Sequence, residues 1–253
     1  MITKEQILTL SKHFDIDQFT ILREYIQIIF LSNLYGLGEG DNIYFKGGSA
    51  LKLMFNSFRF SEDLDFTSLL NEKELKALLE KTIKRVNLEA PGVKVNSLKV
   101  KRISLAARLN YSKSSLKFPL TVHLKFSLRE KPKTRKISPL TTLYPISPYP
   151  MVVHLSLSEI LAEKVRALMI RGKGRDIFDI WYILTKDMKF NWELINQKMK
   201  YYKMEIKKED VVKKIEEINS KEIKNDLMKF LPKRQRTLIG NLKELTIKKM
   251  QEN

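Results

Sequence analysis

The sequence predicts an α+β protein: a mixed sheet with flanking helices, followed by an all-helical C-terminal domain. Three observations predict it. Between residues 43 and 128 strand-like stretches alternate with helical ones, the run from 131 to 150 is broken by Pro132, Pro139, Pro145, Pro148 and Pro150, and beyond it only helical patterns remain. At 253 residues the chain has room for one large domain or two ordinary ones, since domains commonly run ~100 to 200 residues. The proline run is the natural boundary, dividing residues 1–145 from 146–253.

Taken in order, residues 3–12 and 16–35 read as helices, the second with Phe19, Leu22, Ile26, Ile29 and Phe30 on one side and Gly36, Gly38 and Gly40 ending it. Its apolar run is interrupted by Arg23 and Glu24, and no basic leader precedes it, so a core helix is expected rather than a membrane span or a signal. "NIYFKGG" reads as a short buried strand entering a glycine turn, "SALKLMF" as a helix beginning at Ser49, and "DLDFT" as a second strand. A charged helix at about 71–88 leads to a turn at Pro91 and Gly92. "VKVNSLKVK", "ISLAARLNY" and "FPLTVHLKFSL" alternate as strands do, the run 131–150 reads as an irregular connection, and no strand is expected after it.

The chain has no cysteine, which excludes a disulfide framework, a thiolate metal site and a thiol nucleophile, and fits a cytoplasmic protein. The net charge of +18 is unevenly spread. Residues 94–136 carry 13 Lys and Arg against one acid, Glu130, whereas residues 1–93 carry 11 against 13 acids. In the C-terminal third Lys and Glu alternate as on solvated helices. The one-signed segment 94–136 instead attracts polyanions such as nucleic acid or a triphosphate.

The chemistry is concentrated in "KGGSALKLMFNSFRFSEDLDF", Lys46 to Phe66. Asp63 and Asp65 fall on one face of a strand while Leu64 and Phe66 turn to the core. Two such carboxylates repel unless a cation lies between them, and Mg2+ (or Mn2+), which prefers oxygen ligands and is often shared with substrate phosphates, is the natural one. Gly47, Gly48 and Ser49 stand where a strand becomes a helix, so backbone amides and the serine hydroxyl can hold phosphate oxygens. Alone, Gly-Gly before a helix is most often a turn and Asp-x-Asp most often solvated. Joined by a helix short enough to return the chain to the same end of a sheet, they favour a phosphate and metal site. Glu62 turns to the opposite face and is set aside as a surface residue.

In the second half, Ser156 and Glu159 have capping-box spacing, so a helix should start there, with Leu161, Val165 and Leu168 on its apolar face and Lys164 at the edge between Ile160 and Leu168. Such a lysine can equally snorkel to water or serve a site. In "RGKGRDIFDIWYILTKD", Asp176 lies in a first helical turn, where the dipole, capping or pairing with Arg175 is enough to explain it. Asp179 sits among Ile177, Phe178, Ile180, Trp181, Tyr182 and Ile183 and requires a partner, which Lys164 or a site ligand would supply.

The stretch 46–66 resembles the signature of the nucleotidyltransferase superfamily, Gly-Ser followed by Asp-x-Asp. With "RFSEDLDF" it is similar to the nucleotidyltransferase toxins of the abortive-infection type, the toxin half of type IV toxin-antitoxin systems. The match is specific there and looser from about 43 to 185. "LAEKVRAL" followed by "RGKGRDIFDI" is similar to that family's later motifs, one with a lysine that contacts nucleotide phosphates and one with an aspartate that supports catalysis.

The resemblance implies a nucleotidyltransferase-like fold and a metal-dependent transfer of a nucleoside monophosphate from a nucleoside triphosphate (NTP) to an acceptor hydroxyl. It places Asp63 and Asp65 on metal, Lys46, Gly47, Gly48, Ser49 and Lys164 on the nucleotide, and Asp179, with Asp176 a close competitor, in catalysis. Lys125 would face the triphosphate, the basic segment 94–136 would hold an RNA acceptor such as a tRNA end, and a cognate antitoxin is implied. One departure stands out: the later strand "TVHLKFSLRE" offers His123, Lys125 and Ser127 on one face and no third metal carboxylate, Glu130 standing only at its end. Two other readings share these residues: a non-catalytic nucleic-acid-binding module on the same scaffold, and a phosphotransferase moving the γ-phosphate to a small molecule or protein.

Overall fold

In the computed structural model, residues 1–112 and 118–252 are described, and the chain divides into two compact units, Met1–Leu155 and Ser156–Asn253. The first opens with helices α1 (Lys4–Phe14) and α2 (Gln18–Tyr35). Thr3 and Gln6 form a capping box on α1, and the Asp17 carboxylate accepts from the Thr20 amide at 2.8 Å to cap α2. α2 is buried on nearly every side, and no helix among the described residues is long and apolar enough to cross a membrane.

Strand β1 (Ile43–Lys46) runs directly into helix α3 (Gly47–Phe55), which therefore starts two residues before the expected Ser49. Strand β2 (Asp63–Ser68) follows after a short loop, then helix α4 (Glu72–Glu89), started by a capping box between Asn71 and Glu74. The basic segment forms β3 (Val93–Lys101), β4 (Ser104–Tyr111) and β5 (Leu120–Ser127). Lys113 and Lys117 of that segment lie outside the described residues.

The expected all-irregular connection is corrected by two further strands, β6 (Lys136–Pro139) and β7 (Met151–His154), the latter past the point where no strand was expected. Four residues are too few to show a period of two. β7 lies beside β1 with Val152 and Val153 buried, while β6 is an edge strand, where a proline such as Pro139 is tolerated. The first unit therefore runs to Leu155.

The seven strands lie in the order β3-β4-β5-β2-β1-β7-β6. β2 is antiparallel to β1 and parallel to β5, β1 is parallel to β7, and the remaining pairs are antiparallel, so the sheet is mixed. One face carries Leu64 and Phe66 of β2, Val122, Leu124 and Phe126 of β5, and Leu105 and Leu109 of β4, all buried. Phe66 stacks on Phe126 with ring centroids 4.8 Å apart and approaches Phe30 of α2 at 6.3 Å, so α2 covers this face. Alternation then puts Asp63 and Asp65 on the other face.

The second unit is helical throughout its described residues: α5 (Leu157–Arg171), α6 (Gly174–Leu184), α7 (Trp192–Met199), α8 (Lys208–Glu217), α9 (Ser220–Leu227) and α10 (Leu238–Gln251), with short 3-10 turns between. Ile160, Leu161, Val165 and Leu168 of α5 pack with Ile177, Phe178, Ile180 and Ile183 of α6 in its core. The Ser156 hydroxyl caps α5 by accepting from the Glu159 amide at 3.2 Å. The Glu159 carboxylate accepts from Lys198 Nζ at 2.8 Å, a buried ion pair that ties α7 to α5.

Candidate active site

Two contacts seat the start of α3 on β2, and a third sets it against the loop before that strand. Gly47 has φ +81°, the left-handed region that favours glycine, and a Cβ there would lie 2.5 Å from Asp65 Oδ2. A Cβ on Gly48 would run into the Arg59 guanidinium. The Ser49 hydroxyl, itself buried, donates to the Asp63 backbone carbonyl. Gly47 thus serves close approach of the turn to the aspartate strand, Gly48 leaves room for the Arg59 guanidinium, and the serine hydroxyl ties turn and strand together. Arg59 is a component that sequence reasoning passed over: it is 2% exposed and its Nη1 donates to the Phe60 carbonyl at 3.0 Å. Its only signal was a charged side chain set between Phe58 and Phe60.

Asp63 and Asp65 project from one face of β2, and strand register supplies their neighbours. Lys46 of β1 and Lys125 of β5 both pair with Asp65, while Asp63 pairs with His123, which in turn pairs with Arg108 of β4. Paired residues share a face. Lys125 leans across the rung to place Nζ 2.5 Å from Asp63 Oδ2. Farther along, Lys99 and Lys101 of β3 pair with Ala106 and Ser104, so they too stand on the aspartate face. Glu62 is turned aside, 3.4 Å from Arg23, whose guanidinium is lowered from its usual value by burial and raised less strongly by Glu62.

As a cation site, β2 offers two carboxylates on one face, a donor set of hard oxygens that suits a divalent ion shared with substrate phosphates. Among the described residues no group of three or more His, Asp or Glu side chains is placed to hold a metal by itself. Two carboxylates supply part of the oxygen shell of one divalent ion and leave positions for the oxygens of a phosphate ligand.

In the second unit, Lys164 Nζ lies 2.6 Å from Asp179 Oδ2 and 3.7 Å from Asp176 Oδ1. Both aspartates are fully buried and Lys164 nearly so. Asp176 does not pair with Arg175, the partner its sequence neighbourhood offered. Arg171 takes both its oxygens instead, Nε and Nη2 each at 2.8 Å, and the Arg175 guanidinium lies 5.6 Å over the Phe230 ring. Arg171 ends α5 and Asp176 lies in the first turn of α6, so the left-handed bend at Gly172 between the two helices sets this pairing.

The fold has counterparts among solved structures. MenT4, a nucleotidyltransferase toxin from Mycobacterium tuberculosis, aligns with a TM-score of 0.65 at 14% identity, over 99% of this chain and 89% of its own. A candidate nucleotidyltransferase from H. pylori aligns with a TM-score of 0.57 at 18% identity, over 94% of this chain and 98% of its own. JHP933 from Helicobacter pylori gives 0.54 at 19% identity, over 94% and 95%. At these identities the likeness shows the fold. No curated protein sequence matches the chain. The family model for the nucleotidyl transferase AbiEii toxin of type IV toxin-antitoxin systems matches residues 29–243, which spans both the aspartate strand and the Lys164 and Asp179 helices. The chain therefore belongs to the AbiEii nucleotidyl transferase toxin family.

Proposed function

We propose that the protein uses a divalent cation, Mg2+ or Mn2+, to move a nucleoside monophosphate from an NTP to a hydroxyl of an RNA acceptor such as a tRNA end. The observation that carries this reading is the shared face of the sheet, on which Asp63 and Asp65 stand in one register with Lys46 and Lys125 and continue into Arg108, Lys99 and Lys101. Triphosphate and polynucleotide are both polyanions, and a surface that couples two carboxylates to a run of cations suits a reaction between them.

In the transfer, the acceptor oxygen bonds to the α-phosphorus as the bond to pyrophosphate breaks, and the hydroxyl proton leaves to a base or to water. Asp63 and Asp65 would hold a divalent cation, which would supply charge neutralisation at the α-phosphate and lower the pKa of the attacking hydroxyl. The chain's own residues do the rest. The backbone amides of the α3 first turn face the phosphates. Ser49 fixes that turn to β2, and Arg59 buttresses Gly48. Lys164 and Asp179 enter by the order of the family's motifs: the lysine as a phosphate contact and the aspartate as the residue that supports catalysis, 2.6 Å from the lysine ammonium. Asp176, held by Arg171 on both oxygens, is a structural member of the pair. An antitoxin is the partner that the family implies.

The test is to incubate the protein, and an Asp63→Asn, Asp65→Asn double variant, with magnesium, total RNA and each NTP labelled at the α or the γ position. Label from the α position should enter RNA only with the intact protein. Transfer from the γ position alone would make the protein a kinase, and equal RNA binding without transfer by both proteins would make it a binding module.

A further inference from the structure

Asp65 is flanked on its own rung by a lysine from each neighbouring strand, Lys46 of β1 and Lys125 of β5. Lys125 goes further and places its ammonium 2.5 Å from Asp63 Oδ2, with its side chain 49% exposed and that of Asp63 17%. Two carboxylates two residues apart on one strand face draw positive charge between them. Here part of that charge is built into the chain. β5, the strand next to β2, adds His123, Lys125 and Ser127 to this face and no acid. A pair of divalent cations about 4 Å apart needs oxygen ligands that bridge and flank both ions. Two carboxylates with substrate phosphate and water complete the shell of one hard cation. A second would lie against an ammonium and lack a ligand of its own.

We infer that Lys125 stands where a second divalent cation would otherwise sit, so that the site takes one divalent cation per chain together with the triphosphate. The inference rests on the nucleotidyl-transfer reading above. It assigns Lys125 a task beyond contact with phosphate: its fixed charge neutralises Asp63 and limits the metal count to one. The missing third carboxylate and the lysine then have one cause. A carboxylate at this place on β5 would bridge to a second ion, whereas an ammonium replaces that ion.

The count is measurable without turnover. The full chain is dialysed to equilibrium against Mn2+ in the presence of the α,β-methylene analogues of ATP, CTP, GTP and UTP in turn, and protein-bound Mn2+ is counted as the excess of total Mn2+ on the protein side of the membrane over the side that holds nucleotide alone. One Mn2+ per chain is expected for the unchanged protein and two for Lys125→Glu, which removes the ammonium and adds an oxygen ligand. Lys125→Met should keep one ion but bind it severalfold more tightly without nucleotide. Since Lys125 is half exposed, these variants should keep the circular dichroism and a cooperative melt of the parent, which identifies any misfolded one. Two Mn2+ on the unchanged protein, or one on a folded Lys125→Glu variant, would overturn the inference while leaving nucleotidyl transfer standing. Mn2+ binding that is absent, or that survives intact in the Asp63→Asn, Asp65→Asn variant, would overturn both.

Discussion

Gly47 shows at the scale of one residue how backbone and chemistry are joined. Its φ of +81° and the 2.5 Å that would separate a Cβ from Asp65 Oδ2 mean that any side chain there strains the turn and pushes on the carboxylate at once. Gly47→Ala should cost ~1–3 kcal/mol in chemical denaturation and reduce transfer by more than the lost stability accounts for. Asp176 and Asp179 separate in the same way. Asp176→Asn breaks a two-pronged pair at a fully buried carboxylate and should lower stability by about 3 kcal/mol, read from the denaturation midpoint. Asp179→Asn removes the nearer charge that holds Lys164 and leaves only Asp176 at 3.7 Å, so its signature should include a raised KM for NTP, which Asp176→Asn lacks once its stability loss is offset by lower temperature. The need of Asp179 for a partner was legible from its apolar neighbours. The partner of Asp176 was not, because Arg171 is brought near by the bend between two helices and Arg175 was closer in sequence.

At the scale of elements, the alternating strands were legible and the short ones were not. In "VKVNSLKVK" the apolar phase slips from Val93 and Val95 to Leu98 and Val100, and the structure has a bulge there, between Val95 and Ser97. β6 and β7 carry four residues each within or beside a proline-rich run, so neither propensity nor period could reveal them. Tertiary pairing with β1 makes β7 a strand. The site was legible as residue types on β2 and α3 but not as contacts, since Lys125 meeting Asp63 and Arg59 meeting Gly48 depend on strand order and loop path. Element caps offer a control. Asn71→Ala removes the cap of α4 and should cost about 1 kcal/mol with transfer unchanged. Ser49→Ala, which cuts the tie between α3 and β2, should cost a similar ~1 kcal/mol but lower transfer as well.

At the scale of the whole molecule, charge bears on the proposed RNA association and on stability. Lys99, Lys101 and Arg108 extend the aspartate face without belonging to the metal set. Replacing each with Glu should weaken RNA binding across sequences and flatten the dependence of log affinity on log salt by about one for each phosphate no longer neutralised, measured by filter binding at several salt concentrations. A buried carboxyl in the first unit gives the pH dependence of stability. Burial raises Glu24 above its usual 4.5, opposed by Lys52 nearby and by the Tyr144 hydroxyl, which donates to it at 2.9 Å. A carboxyl raised on folding contributes stability that is full below about 4.5 and is lost as pH rises through its folded value. Glu24→Gln, which keeps an acceptor for Tyr144, should therefore raise Tm at pH 7, and the two melting curves should converge below pH 4.5.

The stoichiometry of one reaction tests nucleotidyl transfer at Asp63 and Asp65. With magnesium, NTP and RNA, the protein should release one pyrophosphate for each nucleoside monophosphate joined to RNA, and the Asp63→Asn, Asp65→Asn variant should release none. Release of inorganic phosphate with RNA unextended, or equal pyrophosphate release by the variant, would contradict it.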